Sequence, residues 1–314
     1  MSRWDISDPD RVHSSEPHAP KDEPRAEQES ASPSVGRGGS SDSSGGDVER
    51  KERMAEPTVP RAPERRARHQ DRGRAYSLRG SEIEAMIDIG RFRTIDVRDL
   101  ARFVYQGDAA RMNQDLQNLR GQGLIEEKTV FRAHKSARKL VTLTDAGHRI
   151  VSKASGLSEG QRVYHGFVKP KELDHDADLY KVYQKAAQEI QEKGGKLLRV
   201  RLDFELKESI NRAKEAAGRL SGEERVRLLS AVARENGLAI KGTTIHLPDI
   251  QMEYETRAGQ IERENLELLS KNYREEGIRG KVGAGFTIYA RSGDATRVRR
   301  ALGDTGLIRE VLSV

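Results

Sequence analysis

The sequence predicts an α+β or α/β chain of two folded parts behind a disordered N-terminal tail. Three observations carry that reading. First, eight of the ten prolines precede Arg65, together with the run SVGRGGSSDSSGGD and almost no aliphatic residues. Such sequence does not offset the entropy of ordering its backbone. Second, from Ser81 onward apolar residues recur three times at helical spacing and then alternate in a two-stranded pattern. Third, beyond Lys171 amphipathic and alternating segments interchange, which layers helices on a small mixed sheet. The predicted organisation is a tail over 1–75 with a basic end, a first folded part over 76–155, a connector over 156–171 and a second part over 172–314.

Composition narrows the classes. The 314 residues suffice for two ordinary domains and a tail, and 35% hydrophobic against 34% charged residues suits compact domains joined to unfolded sequence. The absence of cysteine excludes disulfides, thiolate zinc sites and a cysteine nucleophile. No apolar run approaches the roughly 18 residues needed to cross a bilayer. The start MSRWDISDPD lacks the apolar segment of a signal peptide, so the expected location is cytoplasmic. A net charge of +6 permits a nucleic-acid partner. Arg61, Arg65, Arg66, Arg68, Arg72 and Arg74 cluster at the end of the tail, where they either track phosphates or form a solvated linker.

Ser81 is placed to cap a first helix whose apolar face is Ile83, Met86 and Ile87. In TIDVRDLARFVY, Asp96 caps a second, with Val97, Leu100, Ala101 and Val104 on one face. Asp108 caps a third, DAARMNQDLQNLRGQG, with Met112, Leu116 and Leu119 as its buried stripe. LIEEKTVFRAHKSARKLVTLT then reads as a two-stranded ribbon with a basic tip, and DAGHRIVSKA as a closing helix capped by Asp145. Three helices followed by a ribbon is the order of a winged helix-turn-helix, whose third helix and wing contact duplex DNA.

With the stripe buried, Arg111, Gln114 and Asn118 share a polar face at i, i+3 and i+7. Arginine pairs with guanine, and asparagine or glutamine with adenine. Arg132, Lys135, Arg138 and Lys139 at the ribbon tip are the expected phosphate contacts. GLIEEKTVF followed by KLVTLTDAGHRIV resembles the ending of bacterial winged-helix regulators, in which LT-x-x-G leads into the last helix.

In the second part a long helix is expected over Ala177–Lys193, a strand over Leu197–Leu206, helical sequence over Glu208–Gly237 and a strand over Ile245–Glu255. After the turn at Arg257–Gln260 come a segment over Ile261–Leu269 and two further helices. Acids recur on the strands, and Glu205, Asp249 and Glu267 form the candidate trio. Converging carboxylates hold Mg2+ or Mn2+ in metal-dependent nucleases, whereas acids alternating with apolar residues also mark a solvated strand face. His175-Asp176-x-Asp178 either holds a metal or complements a helix N-terminus. Gly280–Gly285 suggests a packed helix over a phosphate loop, because no Lys-Ser/Thr pair ends it.

A leading helix, an acid on a first strand, LPD on a second, a hairpin, an acid on a third and then a basic helix resembles the PD-(D/E)xK nuclease core. In particular it resembles the replication-relaxation family of plasmids and conjugative elements, through HDADLY (His175–Tyr180) and LPDI, over about Ser77 to Tyr289. That resemblance implies Glu205, Asp249, Glu267 and Lys271 as catalytic positions, with Lys281 as a further basic position. Leu269 stands where the motif expects lysine, so the expected role is DNA binding for a mobile element, with a nuclease-like part that does not cut. Relaxase or replication proteins and a second copy of the chain are the expected further partners. An active Mg2+-dependent endonuclease and a dimeric transcriptional regulator are the alternatives.

Overall fold

The computed structural model describes residues 64–131, 137–167, 173–241, 244–269, 273–291, 294 and 308–311, and these fall in one compact unit. Residues 1–63, the ribbon tip with Arg132 and Lys135, and Lys271 lie outside the described residues.

The chain is ordered earlier than the tail boundary at 75 implies. Strands β1 (Ala67–Asp71) and β2 (Arg74–Leu78) pair antiparallel around Arg72 and Gly73, both at positive φ (48° and 78°). Two positive φ angles define the two-residue turn that matches strand twist. Tyr76 and Leu78 are buried, and Asp71 is clamped by Arg149 (2.7 Å) and Lys153 (2.9 Å). Few apolar residues mark this hairpin, and its arginines carry no strand signal in the sequence.

Helix α1 (Gly80–Phe92) opens with the Arg79 backbone N–H donating to Glu82 at 2.7 Å. Ser81 instead donates its hydroxyl to buried Asp115 at 2.7 Å. Strand β3 (Ile95–Asp96) leads into α2 (Val97–Phe103), where the Asp96 carboxylate accepts from the Arg98 N–H (2.9 Å). Helix α3 (Ala109–Gly121) is capped by Asp108, which accepts from the Arg111 N–H (2.9 Å), and buries Met112, Leu116 and Leu119. Strands β4 (Ile125–Phe131) and β5 (Ala137–Leu143) form the ribbon, and β3 completes a sheet of order β3-β5-β4. The order is that of a winged helix-turn-helix. Helix α4 (Asp145–Val151) is capped by Thr144, not Asp145, with its hydroxyl accepting from the Gly147 N–H at 3.1 Å. A Cβ at Gly147 would lie 2.0 Å from the Leu124 carbonyl oxygen, which gives the glycine of LTDAG a packing reason.

Helix α5 (Leu173–Glu192) precedes strand β6 (Lys196–Leu202). The strand expected to reach Leu206 stops at Leu202, because Asp203 turns the chain into α6 (Asp203–Ala217), with its N–H bonded to the Asp249 carbonyl at 3.1 Å. Acids in a first helical turn satisfy the dipole as well as they decorate a strand. Helix α7 (Gly222–Glu235) packs on α6 around Leu206, Ile210, Leu229 and Ala233. The short strands β7 (Ile240–Lys241) and β8 (Thr244–Ile245) precede β9 (Ile250–Glu255) and β10 (Ile261–Leu269). Helix α8 (Glu275–Gly283) takes in the first four residues of the glycine-rich segment. Thr287–Arg291 then forms strand β11, with Ile288, Tyr289 and Ala290 buried; β12 (Ile308–Val311) follows. The sheet order is β12-β11-β10-β9-β6, antiparallel from β6 to β10 and parallel from β10 to β12.

One core runs through both parts. Phe92 of α1 packs its ring against Tyr180 and Tyr183 of α5, with centroids 5.3 and 4.8 Å away, and Phe103 of α2 also meets Tyr180. Among the described residues no helix is long and apolar enough to cross a membrane.

Candidate nucleic-acid interface and the acid cluster

Helix α3 has two polar flanks beside its buried stripe, and the fold covers one of them. The covered flank is the one the sequence selects. Arg111 is paired with Glu64 (3.0 Å), Gln114 accepts from Arg79 (3.1 Å), and the Asn118 amide donates to Glu82 (2.8 Å) and to the Ser77 carbonyl (3.3 Å). Most of the covering segment, 64–79, lies in the sequence that reads as tail up to residue 75, and its fold-back onto α3 has no local signal. Gln114 stays exposed at the edge, whereas Arg111 and Asn118 serve the junction of β2 and α1.

The uncovered flank carries Ala110, Asn113, Gln117 and Arg120 at i, i+3, i+7 and i+10, a helical repeat that keeps them on one side. It adjoins the ribbon, and Asn113, Leu116, Gln117, Arg120, Glu127 and Lys139 line a shared groove. Glu127 accepts from both Arg120 and Lys139 at 2.9 Å, holding two half-exposed cations parallel across the groove. Lys139 therefore lies where a wing contact is expected.

Arg138 does not. Residues alternate across a strand, so Arg138 faces inward beside outward Ala137 and Lys139, and it is 1% exposed. It pairs with Asp96 (2.8 Å), Asp178 (3.0 Å) and Asp174 (3.1 Å), with Asp99 at 3.9 Å. Burial acts to strip its proton, but Asp178, Asp96 and Asp174 hold the guanidinium charged beyond its ordinary range. Asp178 is kept ionised against its own burial by Arg138, Arg291 and Lys181. Burial and its acidic neighbours push Asp99 up to about 6. Asp178, one of the two HDAD acids that the sequence offers as metal ligands, thus anchors the ribbon to α5 together with Asp174.

The candidate trio divides. Glu205 sits in the first turn of α6, bonded to Arg199 and to the Tyr164 hydroxyl (2.8 Å). Asp249 lies just before β9; it accepts from the Leu268 N–H (2.9 Å) and pairs with His175 Nε2 (3.3 Å). Glu267 on β10 is 1% exposed, paired with Lys281 Nζ (3.2 Å) and accepting from the Tyr273 hydroxyl, while its Oε2 has no hydrogen-bond partner. Lys281 also donates to the Leu247 carbonyl (2.7 Å). Burial and the neighbouring Asp249 charge push Glu267 up to about 7. Burial favours neutral forms of His175 and Asp249, but their mutual attraction raises His175 to about 9 and lowers Asp249.

These residues do not fit a divalent cation. Lys281 and His175 already place positive charge on Glu267 and Asp249. Among the described residues no three His, Cys, Asp or Glu side chains are grouped to hold a metal. The pairing of Lys281 with Glu267 follows from α8 folding back over β10, which no local spacing in the sequence reveals.

No family model and no curated protein matches the chain. Among solved structures it is similar to that of Bacillus subtilis PadR in complex with operator DNA, at 14% identity and a TM-score of 0.20, over 49% of this chain and 92% of that one. A TM-score that low carries no argument about this chain.

Proposed function

We propose that this protein binds duplex DNA through the outward face of α3 and the ribbon beside it. One observation carries the reading: Asn113, Gln117 and Arg120 form a face that no other described segment covers, and it meets Lys139 across a polar groove. Asparagine and glutamine there read base edges, and the two cations contact phosphates on either side. The second part acts as a nuclease-like scaffold. That reading is supported by the order α5–β6–β9–β10–α8–β11, with α6, α7, β7 and β8 inserted between β6 and β9, and by Asp249, Glu267 and Lys281 gathering at one end of the sheet. Service to a mobile element, with relaxase or replication partners, rests on the resemblance of HDADLY and LPDI alone.

Binding of labelled duplexes, followed by fluorescence anisotropy, tests the DNA reading. N113A/Q117A costs about 1–3 kcal/mol at a site recovered by selection and little on random duplex. R120A/K139A weakens both and lowers the salt slope by about 2. N118A, by contrast, alters stability and leaves sequence preference in place. Selected-site binding by N113A/Q117A at wild-type strength would show that α3 does not read DNA through this face.

A further inference from the structure

Phe131 is the most exposed large hydrophobic residue among the described residues, at 76%, and the only aromatic one; the others are Leu220, Val226 and Ile261. Its place in the ribbon gives that exposure a direction. Phe131 pairs with Ala137, Thr129 with Lys139, and Glu127 with Val141. Directly paired residues lie on the same side of a ribbon. Val141 on this side is buried in the main core, and Glu127 and Lys139 border the α3 groove. The opposite side, with Val130 and Leu140, packs toward Leu173 and Ala177 of α5. The side bearing Phe131 therefore leaves the core beneath α3, passes Arg120 and Lys139, and ends on an uncovered phenyl ring about 7 Å beyond the Thr129–Lys139 pair, at two residues of strand rise.

Among the described residues nothing packs that ring into a core: its pair partner Ala137 is also exposed, and neither neighbouring core includes it. The surface leading to it is polar and basic, which favours a polyanion over an apolar protein face. We propose that Phe131 is a wedge that enters a base step of the bound duplex from the ribbon while α3 reads the adjacent groove. Apolar side chains inserted in this way unstack the step and kink the helix, and the cost is least where a mismatch has already loosened the stack. The ligand class is duplex DNA with a deformable or mispaired step beside the site read by α3. This rests on the DNA-binding reading above and adds to it a geometry and a preference.

The test uses the full chain with a matched duplex and one carrying a single mismatch, each with 2-aminopurine at the step and dyes at both ends. Wild-type protein is expected to bind the mismatched duplex about 10-fold more tightly, raise 2-aminopurine emission and shorten the end-to-end distance. F131A is expected to lose all three effects while keeping its melting temperature and salt slope, and F131W to restore them. If the wild type binds and R120A/K139A weakens it, yet F131A behaves as wild type on both duplexes, the wedge is wrong and the DNA reading stands. If the wild type binds neither duplex, both fall.

Discussion

At the scale of single residues, burial separates side chains that look alike in the sequence. Arg138 and Lys139 are adjacent cations, but strand alternation sends one into a nest of aspartates and the other to the groove. Replacing a buried guanidinium leaves its partners as uncompensated buried charges. R138M is therefore expected to cost about 3–5 kcal/mol in urea unfolding, and R138K to rescue little of it, since an ammonium lacks the planar fork that reaches several carboxylates. A loss below about 1 kcal/mol would mean that the nest does not hold the ribbon. Glu267 gives a pH signature. Its folded pKa of about 7 lies above its ordinary 4.5, so its contribution to stability is complete below about 4.5 and is lost as pH rises through 7. His175, raised from 6.5 to about 9, contributes below 6.5 and is lost on the way to 9. Stability measured by denaturant is thus expected to decline from about pH 5 to 9. E267Q should flatten the lower half of that decline, with the shares of Asp99 near pH 6 and of Asp88, also raised by burial, remaining, and leave the upper half. An unchanged curve in E267Q would place the titration elsewhere.

At the scale of elements, the caps and stripes are local and the faces are not. Asp96 and Asp108 accept the bonds that their positions suggest. Thr144 displaces Asp145 because the chain enters α4 one residue earlier than the acid signals. The glycine of LTDAG answers to packing: α4 crosses so close to Leu124 that any Cβ meets its carbonyl oxygen. Backbone does not yield as a flexible side chain does, so G147A is expected to cost about 2–3 kcal/mol, the upper part of the overpacking range. Thermal melts of G147A and of the distant control A110G check this, and equal stability in G147A would remove the packing reason. Helix α3 shows the limit of periodicity. Its stripe was legible in Met112, Leu116 and Leu119, but which polar flank faces out was not, since the β1–β2 hairpin covers one flank with residues that carry no helical or apolar pattern.

At the scale of the whole molecule, the two parts share a core. Rings from α1 and α2 interlock with Tyr180 and Tyr183 of α5, and Asp88 of α1 accepts from the Tyr180 hydroxyl at 2.7 Å. Elements joined by a common core open together in hydrogen exchange. F92A, which empties a ring site at their junction, is expected to lower the opening free energy of amides in β5 and β9 alike, by about 3–5 kcal/mol. Loss of protection in β5 with β9 unaffected would show two independent folding units.

By itself, the sequence determined the four helices and the β4–β5 ribbon of the first part, the caps at Asp96 and Asp108, and that the chain mixes helices with a small sheet. Those properties follow from spacing and from bonds made within a few residues. It also placed Asp249 and Glu267 among the candidate site residues. The tertiary structure alone decided that Arg138 is internal, that Glu205 stands on a helix with Arg199, that Lys281 meets Glu267, and that Asn113, Gln117 and Arg120 face outward. Each of these depends on segments far apart in the chain coming together. Their free energies come from burial and from charges facing one another, and neither is written in the spacing of neighbouring residues.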